Sequence, residues 1–326
     1  MHPCWLVLLL FSVPLTAQVS PADSLVDAGI RHYREGAPAR AEALYQRALR
    51  LNKHHGRALY ELAYIAFERG DFERCIRYTK KIRRYREATL ARAYQLEGAA
   101  LDELGEDQQA IKRYRQGLKI YPDNHLLLYN LALVYFQDEQ FAEAIASLEK
   151  ALIANPTHAS SHYMLGYIWT AYQNKLPATL ALQFFLLLEP DSPRSKQALD
   201  LLEDALAQIN TRSRLQVAPA NALNVAEHTV ALGFRQQPLA DRPTDLAAQL
   251  RLLNELTAES FGPAVGEQSG FFWTFYADFF VNVHAEGHLR TLTHFITQQR
   301  GGSSYFWLEG HQPEVRALFD WLASVE

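Results

Sequence analysis

Two histidines four residues apart, in His284-Ala-Glu-Gly-His288, are the residues of this chain best spaced for metal chemistry. On a helix they would share a face and could both reach one ion. A zinc-peptidase helix places its glutamate directly after the first histidine, where it can act as general base. Here Glu286 comes two residues after it and falls on another face. No third ligand is fixed by spacing, although His294 and His311 are available. The pair is read as ordinary surface or partly buried histidines holding no metal. A metal-dependent activity of the C-terminal part is kept as the alternative.

The other reactive side chains offer less. The two cysteines are Cys4 and Cys75, which allows no disulfide framework and no cysteine zinc site within one chain. Cys75 stands in a column of small residues and is expected to pack as a small hydrophobe. There is no Gly-rich phosphate loop, G-x-S-x-G elbow or acid–base pair, so no catalytic residue and no cofactor is assigned. The aromatic run Phe271-Phe-Trp-Thr-Phe-Tyr276 with Phe279 and Phe280 is expected to be core.

What positions these residues is a repeat. Pro122, Pro156 and Pro190 are spaced by 34 and 34. Small residues fall at Gly29, Ala63, Gly98, Ala132 and Gly166, spaced 34, 35, 34 and 34. A second small column, Ala41, Cys75, Ala110, Ala144 and Ala178, has the same spacings, and Tyr45, Tyr114, Leu148 and Leu182 form a partial third. Each unit reads as two antiparallel helices. The two small residues are expected to face each other and let the helices approach, with Tyr114 and Leu148 filling the space between units. Each proline ends a second helix. Asp123, Thr157 and Asp191, one residue after each proline, are expected to cap the helix that follows.

The period and the segments at 96–124 and 131–158 resemble the tetratricopeptide-repeat (TPR) family, whose unit is two helices in 34 residues. The resemblance covers residues 22–192 in five units. There are departures: Thr79 and Ile82 replace an aromatic and a small residue, Phe185 replaces a small residue, and one extra residue lies within Arg86 to Ala91. The implied fold is all-α, a helix-turn-helix right-handed superhelical array of about five repeats. A capping helix is expected at 193–210 and a smaller C-terminal helical domain at 211–326. Within the latter, helices are expected at about 244–260, 270–297 and 312–325, with a break at Gly301 to Ser304.

The resemblance implies a binding groove lined by the first helix of each unit. Arg57, Tyr60, Tyr64, Phe67, Arg92, Tyr129, Asn130, Phe136, Tyr163 and Tyr167 are placed there. Tyrosine suits recognition because it joins a rigid apolar body to one hydroxyl. An extended peptide or a helix of a partner protein could lie in such a groove. The family's carboxylate clamp is not expected, since the first unit offers Val26 and Ile30 at the corresponding places.

Charge is unevenly divided. The total is −4, yet residues 31–92 carry 16 Lys+Arg against 7 Asp+Glu, and residues 93–210 carry 8 against 15. The basic stretch could steer an acidic partner segment. No nucleic-acid module accompanies it, so no nucleic acid is expected. At the start, the apolar run Trp5–Phe11 followed by Pro14 and Ala17 reads as a secretory signal cut after Ala17, too short for a span of about 20 residues. The mature chain is therefore expected to be exported, to a periplasmic, envelope-associated or secreted location, with no transmembrane span. The reading is of a protein-interaction scaffold, not an enzyme.

Overall fold

The computed structural model describes residues 20–85, 89–171, 174–211, 229–233, 236, 243–300 and 302–325. The expected leader, and the extra residue within 86–91 in part, lie outside them. Among the described residues all regular structure is helical and none is strand. Ten helices form five pairs: α1 (Pro21–Arg34) with α2 (Pro38–Leu51), α3 (Gly56–Glu68) with α4 (Phe72–Tyr85), α5 (Leu90–Glu103) with α6 (Asp107–Leu118), α7 (His125–Gln137) with α8 (Phe141–Ala154), and α9 (Ala159–Ala171) with α10 (Lys175–Leu188). Then come α11 (Pro193–Thr211), α12 (Leu246–Phe261), α13 (Asp278–Ala285), α14 (Leu289–Ile296), α15 (Ser303–Gly310) and α16 (Gln312–Ser324). The chain divides into two compact units, one ending at Gly117 and one beginning at Leu118. The first holds three repeats. The second holds the other two, α11 and the C-terminal helices.

Local chemistry explains the helix ends. Ser20 accepts from the Asp23 N–H at 3.0 Å and Pro21 opens α1. His55 caps α3 through Nδ1, 3.3 Å from the Ala58 N–H. The three expected caps are displaced. Asn124, one residue after Asp123, accepts from the Leu127 N–H at 3.0 Å because Pro122 and Asp123 are used in the turn. Thr157 turns back to Asn155 Oδ1 at 3.0 Å, and Asp191 accepts from Gln299 at 2.7 Å. Between paired helices the chain needs one left-handed residue. Gly36, Gly70 and Gly105 supply it at φ 75, 74 and 70°, and Glu139 takes the same position in the fourth pair at φ 55°.

The packing inside a pair goes beyond the expected small-on-small contact, which Gly166 makes with the Ala178 backbone in the fifth pair. A Cβ on Gly29 would lie 2.4 Å from the Tyr45 ring, one on Gly98 2.4 Å from Tyr114, and one on Gly166 2.7 Å from Leu182. The small residue of the first helix therefore makes room for the large residue of its own second helix. The rings fill their own pair, and Tyr45 also shares a core cluster with Ala58, Leu62 and Ile65 of the next one. The second small column, Ala41 to Ala178, is fully buried beside them.

The departures at Thr79 and Phe185 also have reasons. Glu97 is wholly buried in the first unit. Arg83 grips both its oxygens, with Nε at 2.6 Å and Nη2 at 3.0 Å, and Arg113 Nε lies 3.0 Å from the oxygen that Nη2 holds. Thr79 donates to it at 3.2 Å, so a hydroxyl replaces the aromatic because a buried carboxylate must be satisfied. Phe185 is buried under Tyr163 and Arg194.

In the second unit α10 is buried almost all round, from Lys175 to Leu187. An apolar helix of that kind needs cover on two sides. Helix α9 gives one, and the segment from Phe272 onward gives the other: Phe184 meets Phe275 at 5.0 Å and Phe279 at 4.9 Å. Gln183 and Asn254 exchange amide hydrogen bonds of 3.2 and 2.7 Å. Asp245 caps α12, and the aromatic run is core, with Phe271, Phe272, Trp273, Tyr276 and Phe280 buried. The single helix expected at 270–297 is three pieces: a π-helical turn Phe272–Ala277, then α13, then α14. Gly287, at φ 77°, ends the middle piece. Of the break expected at Gly301–Ser304, Gly301 lies outside the described residues and α15 already begins at Ser303.

A tyrosine- and arginine-lined cavity in the first unit

Four of the expected groove residues converge. Helix α3 carries Arg57, Tyr60, Glu61 and Tyr64 at i, i+3, i+4 and i+7, which is one helix face. Helix α1 adds Ile30, Tyr33 and Arg34 by the same rule. Tyr45 comes from α2, and Thr89 and Arg92 from the start of α5. Together they line a cavity of about 320 Å³. Tyr33 and Tyr64 meet edge to face at 6.0 Å, and the Arg92 guanidinium lies over the Tyr60 ring at 5.8 Å.

The electrostatics are specific. Arg57 is held by Asp27 at 2.7 Å and stands 4.0 Å from Asp23, which also takes His55 at 3.0 Å. Arg34 and Arg92 make no ion pair among the described residues. Burial pushes the Glu61 carboxyl above its ordinary value, and Arg57, Arg92 and Arg34 oppose that rise. Burial likewise raises Tyr60 and Tyr64. Two hydroxyls in the lining have no hydrogen-bond partner among the described residues. Tyr45 Oη is one, and Thr89 Oγ1 is the other, although Thr89 stands at the N-cap of α5, where a side-chain oxygen ordinarily accepts from the backbone.

The remaining groove residues lie elsewhere. Phe67 does not line this cavity; its ring packs on Phe72 at 5.4 Å, closing the turn of its own pair. Phe136 does the same with Phe141 at 5.6 Å and also meets Tyr167 at 5.8 Å in the second unit. There Tyr129 edges onto His158 at 5.0 Å, Tyr163 donates to Gln197 at 3.3 Å, Asn130 is half-buried and Tyr167 is exposed. Arg194 joins Glu189 and Ser160 beside them. Sequence reasoning missed Tyr33, Arg34, Tyr45, Glu61 and Thr89. The i, i+3, i+4 spacing from Arg57 carried the signal for Glu61; Tyr45 was assigned to packing alone.

The histidine pair is split by a turn. Helix α13 ends at Ala285 and Gly287 turns the chain, so His284 and His288 share no helix face. His288 rests on Trp321 at 5.4 Å. His294 and His311 stack on Trp307 at 4.4 and 4.0 Å. Among the described residues no group of three His, Cys, Asp or Glu could hold a metal ion. Cys75 is buried, and burial raises its thiol to about 12, far from a reactive thiolate. No described helix is long and apolar enough to cross a membrane.

Comparison with known proteins agrees with the helix pairs. Models of tetratricopeptide repeats match residues 32–100, 98–139 and 125–158. Residues 32–158 therefore carry tetratricopeptide repeats. No curated protein matches it. Among solved structures it is similar to PilF of Pseudomonas aeruginosa at 18% identity, covering 63% of this chain and 95% of that one with a TM-score of 0.49. It is also similar to TTC0263, a TPR protein of Thermus thermophilus, at 21% identity, 57% and 99% coverage and a TM-score of 0.46. PilW, described as a widely conserved type IV pilus biogenesis factor, follows at 15%, 59% and 93%, with a TM-score of 0.49.

Proposed function

We propose that this protein is an exported, non-catalytic scaffold that holds a peptide segment or helix of a partner protein against its first-helix aromatic faces. The observation that carries the reading is the convergence of Tyr33, Tyr60 and Tyr64 with Arg34, Arg57 and Arg92 around one cavity. Tyrosine and arginine are the residues most able to supply binding energy at a protein surface. Tyr129, Tyr163 and Tyr167 with Arg194 offer the same chemistry in the other unit. Export rests on the apolar run Trp5–Phe11 and the small residue Ala17, and it places the partner among exported or envelope proteins.

The test compares capture from envelope and secreted fractions by the mature chain and by a Tyr60→Ala, Tyr64→Ala, Tyr129→Ala variant with an unchanged circular-dichroism spectrum. A protein held by the first and released by the second is expected. Equal capture by both removes the groove from the function. The mass of the protein recovered from its natural host checks export separately: a chain starting at Gln18 is expected, and an intact Met1 argues against it.

A further inference from the structure

We propose that the cavity of the first unit is a receptor for one acidic side chain, Asp or Glu, presented from within a partner's chain. The proposal rests on the groove reading above and names what that groove selects. The first argument is the pair of orphaned hydroxyls. Tyr45 is wholly buried, and its Oη finds no partner among the described residues; Thr89 Oγ1, in the same lining, finds none among them either. Folding leaves such groups unsatisfied only at a cost, and native proteins rarely keep them without a reason. Each hydroxyl is a donor that an acceptor brought to it would satisfy.

The second argument is charge. Arg57 is engaged by Asp27 at 2.7 Å. Arg34 and Arg92 line the same cavity, and Glu61 is the carboxylate among its lining residues. A guanidinium donates in pairs and at fixed geometry, which suits a carboxylate. One further negative charge balances this set. A phosphoryl group, with nearly two, would meet repulsion from Glu61. The third argument is size. About 320 Å³ accepts one side chain with its stem on the rings of Tyr33 and Tyr64, at the small end of ligand pockets. A chain terminus is not required, because Val26 and Ile30 stand where a terminal-carboxylate clamp would need polar groups.

The experiment presents the full chain with pools of octapeptides, acetylated and amidated, each fixing one residue type at a central position. Binding is read by fluorescence anisotropy. The Glu and Asp pools are expected to bind about tenfold tighter than the Gln and Asn pools. Tyr45→Phe and Arg92→Gln are each expected to abolish that preference. Tyr45→Phe removes one oxygen that has no partner among the described residues, so it should leave or raise the thermal midpoint, and loss of binding in it is not loss of folding. Binding without acidic preference, a preference that survives Tyr45→Phe and Arg92→Gln, or tighter binding of pools fixing phosphotyrosine or phosphoserine overturns the proposal and leaves the groove reading standing. Binding only by pools with a free C-terminus overturns it in favour of a terminal carboxylate. Silence from every pool overturns both readings.

Discussion

At the scale of single residues, the buried polar groups report what each position is for. His162 is fully buried, with Nε2 donating to the Pro156 carbonyl at 2.7 Å and Nδ1 accepting from Tyr276 Oη at 2.6 Å. Both ring nitrogens are used by the neutral ring, and burial lowers its pKa from 6.5 to about 4. The unfolded chain takes up a proton near 6.5 and the folded one does not until about 4. The unfolded state therefore binds more protons between these values, and stability falls as pH drops through that window. The loss from this one group is roughly 3 kcal/mol, complete near pH 4. Other carboxylates titrate there too, so the check is a difference: urea unfolding of the natural chain and of His162→Gln across pH 4 to 7. The gap between them should narrow as the pH falls; a gap that stays constant refutes the assignment. The sequence left this histidine unremarked, because its partner Tyr276 lies 114 residues away and no local spacing links them. Glu97 was hidden for the same reason. Only the anomaly at Thr79 hinted that something polar was buried there.

At the scale of the helix pair, the columns were legible and their pairing was not. Spacing alone says that Gly98 and Tyr114 recur together; it does not say that one ring rests on the other's bare Cα. The geometry makes a sharp prediction. Gly98→Ala drives a methyl into the Tyr114 ring, which a Cβ would meet at 2.4 Å. Overpacking of that kind costs about 1–3 kcal/mol. The fourth pair shows the remedy, since it holds Ala132 opposite Leu148. Gly98→Ala with Tyr114→Leu should therefore recover most of what Gly98→Ala loses, and a thermal-melt double-mutant cycle measures the coupling. Simple additivity would mean the two columns do not meet. The turn position gives a second test at this scale. Glu139 is an exposed residue held at φ 55° where three sister repeats use glycine. Glu139→Gly relieves left-handed strain of about 1–2 kcal/mol against a smaller entropic loss. A net gain of about 0.5–1 kcal/mol is expected by chemical denaturation, and a loss would mean the glutamate side chain contributes something the turn geometry does not reveal. This column, Gly36, Gly70, Gly105 and Glu139, was present in the sequence at the repeat spacing and was overlooked because its fourth member is not glycine.

At the scale of the molecule, the C-terminal segment was read as a domain attached to the array, and its helices were placed only approximately. The signal that ties it to the last repeat lies in α10, where Thr179 and Gln183 are the polar residues in the otherwise apolar stretch Leu176–Leu188. A terminal repeat open to water would keep one polar face. The cover comes from the segment 272–279 and from α12, through Phe184, Gln183 and His162. Arg300 extends it, donating to Glu203 at 2.8 Å and pairing with Asp200 on α11. Removing residues 212–326 would uncover Phe184, which loses Phe275 and Phe279, and Trp169, which loses Phe272 and Tyr276. It would also strip Asn254 from Gln183 and Tyr276 from His162. Exposed apolar surface of this kind drives association. A chain ending at residue 211 is therefore expected to self-associate in size-exclusion chromatography with light scattering, while the longer chain does not under the same conditions. Replacing Phe184 by Asp in the truncated chain should reduce that association, because it breaks the uncovered patch at its centre. A truncated chain that stays monomeric and unfolds cooperatively would instead make the array self-sufficient and the C-terminal helices a separable module.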